Sequence, residues 1–168
     1  MIGRVVSVNV SPGGIPKLPV ASAWVGTLGL DADGHLSAGH GGPIAAVCIY
    51  SVEAIARVAA EGHEAFPGAF GENLTLEGID LGAVASGDAL TIGDDGLTLE
   101  LTQNAAPCEK QARWFVEGRI GRISAKLYPD DARWYARVLE EGRVQPGDRV
   151  EVQSVGTREL EPRPEAVG

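Results

Sequence analysis

The sequence predicts a mainly β domain with two or three short peripheral helices. Three observations carry that expectation. First, 23 glycines and 10 prolines are spread along 168 residues, so turns recur too often for a helical bundle. Second, most apolar residues fall in short runs, several alternating with polar neighbours at the two-residue period of a half-buried strand. Third, only the stretches 52–61, 109–115 and 130–141 have helical character.

Taken in order, residues 3–10 alternate and open the chain as a strand, and Ser11, Pro12, Gly13 and Gly14 turn it. Residues 19–25 read as a second strand. A loop rich in Gly, Asp and His occupies 29–43, and loops this long are usually functional or disordered. The near-continuous apolar run 44–50 suits a buried strand. Ser51 is placed to cap a helix over 52–61, with Ile55, Val58 and Ala59 on its apolar face and Gly62 as its stop. A second turn-rich loop, 66–75, runs into a strand. Segments 86–92 and 146–152 share one design, a Gly-Asp turn feeding an alternating strand. Residues 97–102 form another strand, Pro107 interrupts regular structure, and 109–115 favours helix. The strongest helical expectation falls on 130–141. Its acidic start suits the helix dipole, Trp134, Tyr135, Val138 and Leu139 supply an apolar face, and Gly142 ends it. Residues 1–152 are expected to form one domain and 153–168 a polar, Pro-rich tail, disordered from Glu159 onward.

Bulk properties narrow the function classes. The length gives one domain with a proper core, and 44% hydrophobic with 22% charged residues is ordinary for a globular chain. A net charge of −9 argues against a broad nucleic-acid-binding surface, which needs a basic stripe. The apolar runs are too short to span a bilayer, and the start of the chain lacks a signal-peptide segment. The two cysteines lie in unlike settings and make no disulfide framework, so a cytoplasmic location is expected.

Cys108 sits just past a strand, on a connection where side chains reach ligands, whereas Cys48 lies inside an apolar run as core cysteines do. Asp31, Asp33, His35 and His40 share one loop and offer oxygen and imidazole to a divalent metal. The two histidines are five apart, which is not a zinc pair on a helix. The other reading of His40, Gly41, Gly42 and Pro43 is a tight turn whose backbone N–H groups approach a ligand, with His40 donating a hydrogen bond. Glu72 and Asn73 read either as an acid with an orienting amide or as residues that bond their own loop. No phosphate-loop, dinucleotide or serine-hydrolase motif is present.

These pieces, in their order, resemble the MOSC domain, named after the C-terminal domain of molybdenum-cofactor sulfurases. The resemblance rests on Ser-Pro-Gly-Gly-Ile-Pro-Lys at 11–17, His-Gly-Gly-Pro at 40–43 leading into Ala46 and Val47, and Pro-Gly-Ala-Phe-Gly-Glu-Asn-Leu-Thr at 67–75. It continues through Gly87 and Asp88, Ile92 and Gly93, Ala-Pro-Cys at 106–108, Arg-Trp-Tyr-Ala-Arg-Val-Leu at 133–139, and Gly147 with Asp148. The chain looks like a stand-alone bacterial member. The resemblance implies a closed, mainly antiparallel β-barrel with a pocket for the molybdenum cofactor, a phosphate-bearing pterin whose dithiolene holds the metal. It implies that Cys108 carries sulfur as a persulfide or ligates molybdenum, and that His40, Gly41, Gly42, Glu72 and Asn73 line the pocket. A soft thiolate suits both cysteine roles.

The chain departs from the family pattern in two places. Ile44 and Ala45 follow the His-Gly-Gly-Pro motif where many members have an acidic residue and then Lys or Arg. Ala105 stands where many have Arg, three residues before the cysteine. Lys17, Lys110 and Arg113 are the basic residues that the sequence offers in compensation. The expected function is therefore binding of the molybdenum cofactor or a related sulfur-bearing ligand through Cys108. Its activity would be sulfur transfer or molybdenum-dependent reduction of N-hydroxylated compounds, with a sulfur-donor or redox partner protein, and with neither nucleic acid nor membrane. The alternative is a non-catalytic ligand-binding barrel that has lost the cofactor. A Cys–His hydrolase using Cys108 and His40 ranks last, because no third triad member is recognisable.

Overall fold

A computed structural model describes residues 1–34 and 41–158. In chain order its elements are β1 (Ile2–Val10), β2 (Leu18–Val20), β3 (Ala23–Gly26), β4 (Gly29–Leu30), β5 (Val47–Ser51), α1 (Val52–Ala60), β6 (Leu74–Glu77), β7 (Ala89–Ile92) and β8 (Leu97–Ala105). Four short 3-10 turns between Glu109 and Asp131 lead to β9 (Arg133–Glu140), β10 (Gly142–Val144), β11 (Arg149–Gln153) and the four-residue α2 (Val155–Arg158). The main sheet runs β11-β7-β8-β9-β5-β6-β1, and β11 pairs back onto β1, so seven strands close into a barrel with β2 appended to β1. Among the described residues only β5 and β6 pair in parallel; the other pairs are antiparallel. Strands β10, β3 and β4 form a small separate sheet. The mainly β architecture expected from the turn-rich sequence is what forms, and closure removes the exposed edges of the seven strands.

Local signals account for several elements. Ser51 caps α1 by accepting the Ala54 N–H at 3.1 Å, and Gly62 beyond the helix takes a φ of 92°. The buried face of α1 is Ala54, Ile55 and Val58, with Ala59 turned out to solvent. The two Gly-Asp turns do share a design. Asp88 accepts the Ala85 N–H at 2.9 Å, and Asp148 accepts the Gln145 N–H at the same distance. The strands they feed, β7 and β11, pair with one another from Ile92↔Val150 to Ala89↔Gln153.

The expected helix at 130–141 is instead a strand. A 3-10 turn over Pro129–Asp131 precedes it, and β9 lies between β5 and β8. Trp134, Tyr135, Val138 and Leu139 fit a helical period, but in β9 the first four residues, Arg133 to Ala136, are covered on both faces and so show no clean alternation. Trp134 and Ala136 face the barrel core, and the Trp134 indole N–H donates to the Leu81 carbonyl at 3.0 Å. Arg133 and Tyr135 point the other way. The 109–115 segment is a 3-10 helix (Glu109–Trp114) rather than α, and the expected strand 19–25 is broken into β2 and β3 at Ala21 and Ser22.

Two apolar cores result. The barrel interior packs residues such as Val8, Ile49, Leu74, Leu90, Leu99 and Val150, all essentially unexposed. A second core lies outside the barrel, where α1 and the 3-10 segment cover β5. There Phe70 stacks on Phe115 with ring centroids 5.0 Å apart and meets Tyr50 edge-on at 6.1 Å. Burying each such aromatic is worth about 1.5–3 kcal/mol. The loop through Phe70 is thereby fixed, and it forms one wall of the site described next.

Candidate functional site

The site is a cavity where the 11–17 loop, the 67–73 loop, the end of β8 and the outward face of β9 converge. Cys108, Cys48, Arg133, Tyr135, Asn73 and Lys17 are among its lining residues. Cys108 is half-buried on the connection leaving β8, as expected from its position after a strand. Gln111 holds it there. The Gln111 side-chain oxygen accepts the Cys108 N–H at 2.8 Å, and the Gln111 amide donates to the Phe70 carbonyl at 2.7 Å.

Arg133 reaches the same carbonyl from the opposite side. One guanidinium nitrogen donates to Phe70 O at 2.6 Å and the other to Ala106 O at 3.1 Å, two residues before Cys108. Arg133 pairs directly with Ala105 across β8 and β9. It is 3% exposed, and its Nε has no hydrogen-bond partner among the described residues. The sequence placed Arg133 in the first turn of an amphipathic helix and off its apolar face, which concealed it. As a strand residue two before Tyr135 it had to share Tyr135's face.

Asn73 stitches the barrel behind the cavity. Its backbone N–H donates to Cys48 O at 2.8 Å, and its side-chain oxygen accepts the Cys48 N–H at 3.0 Å. Its amide donates to Asn9 O at 3.2 Å and to Asp33 at 2.9 Å. Asp33 also takes the Ser11 N–H at 3.0 Å and forms a buried ion pair with Lys17 at 2.5 Å. Its oxygens and the Lys17 charge are therefore already engaged. Arg113 donates to the Ile15 carbonyl at 2.5 Å and stacks on Trp114 at 4.5 Å. Among the described residues, no group of three or more His, Cys, Asp or Glu side chains is placed to hold a metal ion.

Glu72 lies behind the wall, fully buried, and accepts the Gly68 N–H at 2.7 Å. Burial pushes its carboxyl up from the usual range, against the pull of backbone donors and Arg133. Gly68 itself has a φ of 88°, and a Cβ there would meet Lys17 O at 2.1 Å, so only glycine lets these two loops close on each other. Gly41 lines the cavity, and Gly42, with a φ of 83°, offers its carbonyl to the Ala45 N–H at 3.1 Å in the turn entering β5. His40 and His35 lie outside the described residues.

The family-model comparison decides the relationship: residues 37–151 match the MOSC domain. The chain belongs to the MOSC domain family. It is 34% identical over 158 residues to YflK of Bacillus subtilis, covering 86% of this chain and 65% of that one. It is 33% identical over 136 residues to a Gibberella moniliformis protein named Reductase, covering 79% of this chain and 23% of that one. The chain thus spans less than two thirds of either relative. Among solved structures, YiiM from Geobacillus stearothermophilus superposes with a TM-score of 0.70 at 28% identity, covering 92% of this chain and 78% of YiiM. The barrel of this MOSC domain is thereby the family's barrel.

Cys48 is the lining residue that sequence reasoning passed over, because its apolar neighbours gave it the look of simple core. It belongs to both settings: the strand is core, and its sulfur borders the cavity. Burial pushes the Cys48 thiol up, although the adjacent Arg133 guanidinium opposes this. Burial likewise pushes the Tyr135 phenol up to about 12, so it presents a protonated hydroxyl at neutral pH. The two cysteines should therefore differ in reactivity. Iodoacetamide applied to the native protein is expected to label Cys108 first, with Cys48 modified only on denaturation. Peptide mass spectrometry reads both sites, and equal labelling rates would contradict the burial argument.

No helix among the described residues is long and apolar enough to cross a membrane.

Proposed function

We propose that this MOSC protein holds the molybdenum cofactor or a related sulfur-bearing ligand through Cys108, and that it acts in sulfur transfer or in molybdenum-dependent reduction of N-hydroxylated compounds. The observation that carries the reading is the placement of Cys108. It is half-buried at a cavity mouth, its backbone clamped by Gln111, with the buried Arg133 on the same wall. Both side chains fit the cofactor: a thiolate is a soft ligand for molybdenum, and the Arg133 guanidinium brings positive charge to the cavity wall for an anionic group. The name Reductase carried by the fungal relative supports the redox form of the reading.

In the sulfur-transfer form, the Cys108 thiolate attacks the outer sulfur of a donor persulfide, R–S–SH. The donor's S–S bond breaks, R–S⁻ leaves, and Cys108 becomes the persulfide, with no net change in oxidation state. Gln111 fixes the backbone of Cys108 during the attack, and Tyr135 offers a protonated hydroxyl at the cavity wall. When bound, the cofactor would supply two-electron redox chemistry. Asn73 and Glu72 serve from behind, by holding the strands and loops that shape the cavity. A donor or redox partner protein follows from either form, and the cytoplasm, where thiols stay reduced, is its proposed place.

The test is molybdenum and pterin content after anaerobic purification from a cofactor-producing host, with Cys108→Ser beside the wild type. Cofactor present near one equivalent and reduced at least tenfold in the variant is the expected result. Cofactor retained equally by both, with no added sulfur on Cys108 by mass spectrometry, would overturn the role of Cys108. Absence of cofactor from both together with an unmodified Cys108 would favour a barrel that has lost the cofactor, in keeping with Ala45 at its wall and the buried Ala105 at the end of β8.

A further inference from the structure

We infer that Cys48 is the resolving thiol of Cys108: once Cys108 carries a leaving group on its sulfur, Cys48 displaces it and closes a Cys48–Cys108 disulfide across the cavity. In the sulfur-transfer form of the proposed function, on which this rests, the displaced group is hydrosulfide. Cys48 then turns the carried sulfur into free sulfide.

The argument begins from strand parity. Side chains alternate along β5, so Val47 and Ile49 enter the barrel core while Cys48 and Tyr50 face outward. Cys48 is 5% exposed, yet among the described residues neither apolar core includes it. Its surroundings are polar instead. It pairs with Tyr135 across β5 and β9, and the Arg133 guanidinium hydrogen-bonds its side chain. Both cysteines are free thiols, both line the same cavity, and both act electrostatically on the Tyr135 hydroxyl.

The two thiols are held differently. Asn73 bonds both the N–H and the carbonyl of Cys48, which fixes it in a central strand. Cys108 lies on a connection outside any strand, tied by Gln111 to its own N–H and by Arg133 to Ala106 O. A disulfide needs Cα atoms within about 7 Å of each other. Any adjustment toward that spacing falls on the 106–108 connection and not on β5. Arg133 therefore reaches both partners. Its charge favours the thiolate that Cys48 must develop, against the burial that keeps it protonated at rest. Burial also shields Cys48 from outside reagents, so only a group brought in on Cys108 meets it. The competing role for Cys48 is inert filling of a strand. Filling accounts for the burial but leaves the guanidinium contact and the shared cavity unexplained.

In the step itself, the Cys48 sulfur attacks the inner sulfur of Cys108–S–SH. The bond between the two Cys108 sulfurs breaks, hydrosulfide leaves, and the Cys48 proton departs with it as hydrogen sulfide. The outer sulfur is reduced by two electrons, and the two cysteines are oxidised to the disulfide. A dithiol reductant reopens it by exchange.

The reduced full chain is treated with sodium polysulfide, and in parallel with hydrogen peroxide. Peroxide converts Cys108 to the sulfenic acid, from which Cys48 expels water in place of hydrosulfide. Non-reducing peptide mapping is expected to find the Cys48–Cys108 linkage in both arms, with sulfide released in the first. Cys48→Ser should prolong the Cys108 persulfide about tenfold or more and slow sulfide release to match. A persulfide that persists equally in wild type and variant would overturn the inference, as would absence of the linkage after peroxide. Should the Ser variant fail to fold, the wild-type linkage alone still decides. If polysulfide leaves Cys108 unmodified while peroxide closes the disulfide, the sulfur-transfer reading fails and the resolving role stands.

Discussion

Arg122→Ala is expected to lower the unfolding free energy by about 3 kcal/mol, the lower end of what breaking a buried ion pair costs. Arg122 is 7% exposed and bonds Glu61 through two nitrogens, at 2.7 and 2.8 Å. It also meets Asp131 at 2.8 Å and lies 4.2 Å over the Tyr128 ring. It thereby joins the end of α1 to the turn that launches β9. Removing it leaves Asp131, which is itself buried, with Arg57 as its remaining cationic partner. That partner, and the half-exposed position of Glu61, keep the cost at the low end. For a chain of this size the loss amounts to roughly 6–12 °C in melting temperature. Calorimetry reads it directly. A fall of under about 2 °C would mean that the network adds little beyond its solvated alternative. Because Asp131 is two residues from Arg133, the same variant should also loosen the cavity wall.

That coupling marks where the sequence was legible and where it was not. Ser51 as a helix cap, the paired Gly-Asp turns and the alternating strands 3–10 and 97–102 were all readable, because each depends on local chemistry that survives folding unchanged. The position of Cys108 was readable for the same reason, since a strand and a proline define its connection. Residues 130–141 were not. Their apolar spacing satisfies a helix, and only the pairing of β9 with β5 and β8 selects the strand. This one misreading hid Arg133, since a charged residue on the polar side of an amphipathic helix needs no explanation, and a buried one does. Asp33 shows the converse. In sequence it resembled a metal ligand, and in the fold its charge is met by Lys17 and its oxygens by Asn73 and Ser11. The buried ion pair removes the reason to seek a cation there.

Glu72→Gln is expected to make the protein more stable at alkaline pH while leaving it close to wild type near pH 4. Glu72 is fully buried and accepts the Gly68 N–H, which an amide oxygen accepts equally well. Burial raises its folded-state carboxyl above the unfolded value of 4.5, despite the backbone donors and Arg133. Below that unfolded value both states hold the proton, and the stability associated with Glu72 is fully present. Above it the unfolded chain releases the proton first, so the unfolded state binds fewer protons and stability falls as pH rises. The loss continues until the folded carboxyl also ionises. The greatest slope from this single group is about 1.4 kcal/mol per pH unit. The glutamine variant lacks that slope, so the gap between the two proteins should widen from pH 5 upward. Chemical denaturation at a series of pH values measures it. Parallel profiles for the two proteins would mean that Glu72 stays ionised in the folded state. In that event Arg133 would have a carboxylate counter-charge close by.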